Sequence, residues 1–185
     1  MGLLWKPHYK VNSTDAIKDE GNKFKLYPRG LNITWGRDSR YWQLPGMTLC
    51  RMDEDSVAEL KQVAWLEVTG STPKDVVIGK EYKVGFRVSL RPDAFGWEGR
   101  EVYIMAKIGK RGTVSFKKVN FEGKSQGMPL PFDIPEDKLV ITVTPKETAV
   151  PSDDCKLYFG MYEVWSKMWK GGLKIHHAFV VMVDE

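Results

Sequence analysis

EYKVGFRVSL, residues 81–90, alternates without a break. Tyr82, Val84, Phe86, Val88 and Leu90 fall on one side, and Lys83, Gly85, Arg87 and Ser89 on the other. A helix would scatter that apolar set around its axis, whereas a strand with one buried face requires a period of two. The same period returns at 101–108, with Val102, Ile104, Ala106 and Ile108 in phase. It returns again at 173–183, through Leu173, Ile175, His177, Phe179, Val181 and Val183. Shorter β-rich runs lie at 113–121, 138–144 and 156–164, with Gly, Pro and polar turns between them. No long amphipathic helical period interrupts the series. The spacing predicts an all-β fold, an antiparallel β-sandwich of jelly-roll type with about eight strands.

Upstream, VAELKQVAWLEVTG (57–70) opens with helical spacing of Val57, Leu60, Lys61 and Ala64, then turns rich in β-formers. It predicts a short helical turn followed by a strand over 63–69. Earlier still comes GLNITWGRDSRYW, residues 30–42. Leu31, Ile33 and Trp35 alternate with Asn32 and Thr34, so Trp35 is expected in the core. Gly36 ends that strand, and Arg37, Asp38, Ser39 and Arg40 form a polar loop ahead of Tyr41 and Trp42. Such a loop sets flat apolar faces beside hydrogen-bonding groups, the pairing that a sugar's C–H faces and hydroxyl edges call for. Trp42, beyond the loop, is expected to be free to leave the core and stack. Residues 1–28 carry mixed charge without sustained periodicity and read as an N-terminal extension; 29–185 read as the folded domain.

The chain of 185 residues is long enough for a substantial core, and 42% hydrophobic content with seven Trp, seven Tyr and eight Phe argues against disorder. Its 28 basic and 24 acidic residues are interspersed, so the net +4 does not by itself indicate nucleic acid or an anionic surface. Cys50 and Cys155 are far apart and form no C-x-x-C pair, which predicts reduced thiols and no structural zinc. MGLLWKPHYK has no apolar signal-peptide region, and position 6 is Lys where myristoylation wants Ser or Thr. No apolar run approaches the roughly 20 residues that span a bilayer. The expectation is a cytoplasmic protein without a membrane partner.

Catalytic signatures are missing: no phosphate loop, no dinucleotide fingerprint, no H-E-x-x-H and no G-x-S-x-G. His176 and His177 are adjacent on a strand, so without a bulge they point to opposite faces and cannot share a metal. Glycoside hydrolysis needs two facing carboxylates. Asp38 and Glu163 are the pair to test, though both serve more simply as acceptors for sugar hydroxyls. Lys110, Arg111, Lys117 and Lys118 read as the solvated face of a hairpin.

Three segments together resemble the phloem protein 2, or Nictaba-type, lectin family. GLNITWGRDSRYW resembles its opening motif, AELKQVAWLEVTG its second, and FGMYEVWSKMWKGGLKIHHAFV its final hairpin with an aromatic–Lys–Gly–Leu turn. The match runs over about 29–185, in order; residues 1–28 have no clear counterpart, and the loops around Trp97 and Met128 correspond to none of the three motifs. The resemblance implies a plant lectin of the cytoplasm or phloem sap, with a fold like that of carbohydrate-binding modules and with no catalysis, metal or cofactor. Its implied partners are N-acetylglucosamine oligomers and N-glycan cores, and pairing into a homodimer would strengthen binding. The two family Trp implicated in binding match Trp35 and Trp42, and a site acid corresponds to Glu163. The site expected on this basis stacks Trp42 with Trp165 or Trp169 on a sugar ring. Asp38, Arg40, Tyr41 and Glu163 hydrogen-bond its hydroxyls and acetamido group, and Lys170 lies in the hairpin turn. The alternative is an RNA- or phloem-protein-interaction module of the same fold, because aromatics beside Arg and Lys also stack on bases.

Overall fold

The period-two segments become strands that pack as two antiparallel sheets face to face. The computed structural model describes residues 6–46, 56–126, 130–144 and 154–183. In chain order its strands are β1 (Ile17–Asp19), β2 (Lys23–Leu26), β3 (Asn32–Ile33), β4 (Trp42–Gln43), β5 (Ala58–Leu60) and β6 (Leu66–Ser71). They continue with β7 (Glu81–Phe95), β8 (Glu101–Ile108), β9 (Ser115–Asn120), β10 (Phe132–Thr142), β11 (Leu157–Glu163) and β12 (Gly171–Met182). One 3-10 turn, Pro28–Gly30, follows β2. No α-helix occurs among the described residues.

β12 is the axis of the seven-stranded sheet. One edge pairs with β7, whose far side pairs with β10. The other edge is divided between two short strands: β5 pairs at Lys174 and Ile175, and β2 from Ala178 to Val181. β1 and β4 complete the sheet beyond them. The five-stranded sheet runs β3-β6-β11-β8-β9. The alternating face of β7 is buried throughout, as is that of β8. The rings of Phe86 on β7 and Phe159 on β11 meet edge to face at 5.7 Å, across the space between the sheets. The all-β sandwich read from the sequence is the observed architecture.

Four local readings are corrected. The segment 57–64 makes no helical turn; Ala58–Leu60 is β5, whose Ala58 and Leu60 face the core. Residues 1–28 are not all appended to the domain. Phe24, Leu26 and Tyr27 are buried, β2 is paired to β12, and Tyr9 bridges Ile33. Strands of three and four residues are too short to announce a period. The phase of β12 also breaks. A register shift between Ile175 and His177 turns Ala178 and Val180 inward in place of Phe179 and Val181. His176 then bonds Ser89 (Nε2···Oγ 2.8 Å), while His177 packs between the rings of Tyr27 and Phe179. Fourth, β3 ends at Ile33, so Trp35 is not a strand residue. In the β8–β9 hairpin, Lys117 pairs with Asp137 and Lys118 with Glu101, so these lysines form a solvated, neutralised face. Cys50 and Met128 lie outside the described residues.

Two outcomes follow from this packing. A chain starting at Arg29 loses the buried Phe24 and Leu26, each worth on the order of 2–5 kcal/mol against a total stability of about 5–15 kcal/mol. Its calorimetric transition should be lost or strongly lowered; an unchanged transition would remove β1 and β2 from the core. The second concerns His177. Burial first, then Lys25, Lys23 and Arg87, push its pKa down from 6.5 to about 4, with Asp133 partly offsetting them. Below pH 6.5 the unfolded chain takes up a proton that the folded chain refuses until about pH 4, so stability falls as pH drops through that window. His177→Phe should flatten that slope in urea melts at pH 7 and pH 4.5.

Candidate functional site: an aromatic platform on a buried ion pair

The loop between β3 and β4 turns one residue earlier than Gly36 suggests. Trp35 itself adopts the left-handed region (φ 65°), and its N–H donates to His8 Nδ1 at 3.0 Å. Gly36 follows where a Cβ would stand 2.9 Å from both Ile33 and Tyr9. That turn carries the Trp35 ring out of the strand phase to a half-buried position, edge to face with His8 (5.1 Å) and Tyr41 (5.6 Å). Trp42 goes the other way. As the first residue of β4, opposite Leu60, it is only 2% exposed, and its Nε1 has no partner among the described residues. The expected roles are therefore largely exchanged: Trp42 is core, and Trp35 is half-buried against the core's edge. The polar loop spans a tight turn, with the N–H groups of Tyr41 and Trp42 both donating to the Asp38 carbonyl, and this returns the chain to the sheet at Trp42.

Asp38 is buried, and its carboxylate accepts a fork from Arg40, Nε to Oδ1 at 3.0 Å and Nη2 to Oδ2 at 2.7 Å. The Arg40 guanidinium holds the Asp38 carboxyl below the usual range, against the effect of burial. Arg40 is itself largely exposed and lies over the Tyr41 ring at 5.3 Å. Asp38 thus orients Arg40, which faces solvent beside the aromatics.

The connection from β11 to β12 is organised by Glu163 and Lys170. Glu163 Oε2 meets Lys170 Nζ at 2.5 Å, with the two side chains 4% and 0% exposed. Ser166 donates to the same carboxylate from its N–H (3.1 Å) and its Oγ (2.7 Å). Lys170 Nζ also donates to the Ala64 carbonyl, and the backbones of Lys170 and Val63 exchange two hydrogen bonds. Burial pushes the Glu163 carboxyl up, but its bonds to Lys170 and Ser166 outweigh that and leave it below its ordinary value. Glu163 and Lys170 are therefore not sugar acceptors or donors at the surface, as the sequence suggested; they are the frame beneath it. Asp38 and Glu163, each ionised and committed to a cation, do not constitute a proton-donating acid pair.

From that frame Trp165, Met168 and Trp169 project into solvent. Trp169, 52% exposed, stacks on Tyr41 at 6.2 Å with 28° between planes. His8, Trp35, Tyr41 and Trp169 thus form one continuous aromatic run beside Arg40. Trp165 leaves in another direction and packs on Tyr103 of β8 at 4.7 Å. Of the expected site residues, the structure gathers Trp35, Asp38, Arg40, Tyr41 and Trp169, and places Trp42, Glu163, Lys170 and Trp165 elsewhere. His8 escaped the sequence reading because its only signal was the mixed composition around it.

Fold and site together define a β-sandwich that presents loop-borne aromatic rings and one oriented arginine at its surface. The sequence profile of phloem protein 2 matches residues 21–182, and the chain belongs to the phloem protein 2 family. It is 42% identical over 181 residues to phloem protein 2-like A9 of Arabidopsis thaliana, covering 94% of each chain. It is 36% identical over 115 residues to a lectin of Luffa acutangula, covering 59% of this chain and 51% of that one. Among solved structures, the GH26-CBM35 mannanase of Podospora anserina aligns over 89% of this chain and 28% of its own, at 7% identity and a TM-score of 0.49.

Lys170→Met should cost about 3–5 kcal/mol, because it strands a buried carboxylate. The double variant with Glu163→Leu should recover much of that loss. Thermal melts of the two check it, and equal destabilisation by both would show that packing, not charge pairing, holds the hairpin.

Proposed function

We propose that this protein is a lectin that binds N-acetylglucosamine oligomers and the cores of N-glycans. The observation that carries the reading is the aromatic run Trp35–Tyr41–Trp169, with Trp169 half-exposed, held over the buried Glu163–Lys170 pair and beside Arg40, which Asp38 orients. Flat rings of this kind stack on the C–H face of a sugar. Arg40, held by Asp38, is positioned to donate to a ring hydroxyl or an acetamido carbonyl. Membership of the family and the lectin among its relatives support the sugar class. The protein acts by binding: the ligand gains contact with a preorganised surface and undergoes no bond change.

Chito-oligosaccharides should quench tryptophan fluorescence, with an affinity that is nearly independent of salt. Trp169→Ala removes one stacking face worth on the order of 1–3 kcal/mol, by analogy with base stacking, so it should weaken binding roughly ten- to a hundred-fold with the melting transition unchanged. Trp42→Ala is the contrast, expected to cost about 3–5 kcal/mol of stability through a core cavity. A steep salt slope with RNA and no response to the oligosaccharide would replace this reading with the RNA-interaction alternative.

A further inference from the structure

The outer face of the five-stranded sheet carries a groove that the loop platform does not use. Its volume is about 330 Å³. Strand register explains its shape. Asn32, Thr69, Gly160, Met105 and Phe116 form a middle row across the strands. Glu67, Tyr162, Tyr103 and Lys118 flank it on one side, and Ser71, Tyr158 and Lys107 on the other. Gly160 therefore sits between two tyrosines on β11. A Cβ there would stand 2.7 Å from the Tyr162 ring, so the glycine is what lets that ring lie across the strand while the middle row stays low.

The chemistry of the lining is that of a neutral, hydroxyl-rich ligand. Glu67 and Lys118 stay in the flanking row, and among the lining residues the charged one is Lys107, already donating to the Lys110 carbonyl at 2.6 Å. The side chains of Thr69, Ser71 and Tyr162 make no hydrogen bond among the described residues, so three hydroxyls stand ready to pair. The Asn32 carbonyl oxygen accepts from the Val11 N–H at 3.0 Å, which leaves its NH2 to donate outward. Tyr158 is the exception, its hydroxyl bonded to Asp154. Burial, with Glu67 nearby, holds the Tyr162 phenol above its ordinary pKa, so it remains a donor. Apolar faces come from Tyr158, Tyr162, Met105 and Val114. An apolar peptide would leave those hydroxyls unpaired, and a phosphate would find a single occupied lysine. The aromatic strip Phe116–Tyr103–Trp165 borders the groove and leads to the β11–β12 connection, which also carries Trp169.

We infer that this groove is a second, extended subsite that takes a linear chain of N-acetylglucosamine residues laid across the strands over Gly160. The inference rests on the lectin reading above and adds a site that reading does not need. It makes chain length a determinant of affinity, since a longer oligomer crosses more of the strands along the row.

Titrating isotope-labelled protein with chitohexaose and following backbone amides tests it directly. Resonances of Thr69–Ser71, Met105–Lys107 and Tyr158–Tyr162 should move in the same titration as the Trp35 and Trp169 indoles. Thr69→Trp, which fills the middle row, should weaken chitohexaose binding at least roughly ten-fold and leave chitobiose binding unchanged. Tyr162→Ala serves as the second variant and should act in the same direction. If only the indoles move, the groove subsite is wrong and the lectin reading stands. If only the groove amides move, the groove stands and the platform is wrong. If neither moves, both are overturned, and groove shifts caused by oligouridylate but not by chitohexaose would overturn the glycan assignment.

Discussion

The pairing of Glu163 with Lys170 is the constraint on which the functional end of this molecule rests. Two charges are removed from water, which costs several kcal/mol per ion unless every remaining donor and acceptor is satisfied. Here most are: Ser166 supplies two donors to the carboxylate, and Ala64 accepts a second bond from the ammonium. The pair therefore specifies one conformation for the chain between β11 and β12. It also ties that connection to residues 63–64 of the opposite sheet's approach, through the Val63–Lys170 bridge. Two exposed tryptophans can then hang from one short loop and point to different surfaces without collapsing onto each other.

The loop after β3 uses the same device on a smaller scale. A buried Asp38 grips an exposed Arg40, and Trp42 anchors the loop's exit in the core. The carboxylates are placed below the surface, and rings beside the Arg40 guanidinium face solvent. Rings held this way lose little conformational entropy when a ligand arrives, which favours binding to a shallow surface.

Much of the sandwich was legible in the sequence, because β7 and β8 are long enough for alternation to dominate any local propensity. β1 and β2 were not, since Phe24 and Leu26 alone do not make a period. The bulge in β12 was hidden for the opposite reason: the run from Leu173 to Val183 reads as perfectly alternating on either side of the slip. Asp38, Arg40, Tyr41 and Trp169 were singled out by residue type, and the structure brings them together. The exchange of Trp35 and Trp42 was not legible, because a single left-handed φ at a non-glycine residue leaves no compositional trace. Glu163 and Lys170 were singled out as surface ligand contacts, whereas the structure buries them as a pair, since burial is a property of the assembled sheets. The groove over Gly160 has no sequence signal at all; it exists only once five strands are in register.

β12 also governs when this protein can exist. Leu26 pairs with Ala178, more than 150 positions later, and β7 waits for the same strand. While the ribosome is still making the chain, β2, β5 and β7 each have one edge without its partner. Closing such long loops precedes the reward for closing them, which slows folding and leaves strand edges open to other chains. The five-stranded sheet closes sooner, since β11 supplies its last strand before β12 is made. Assembly is thus ordered by synthesis, with the sheet that carries the Gly160 groove complete before the loop platform acquires its second half.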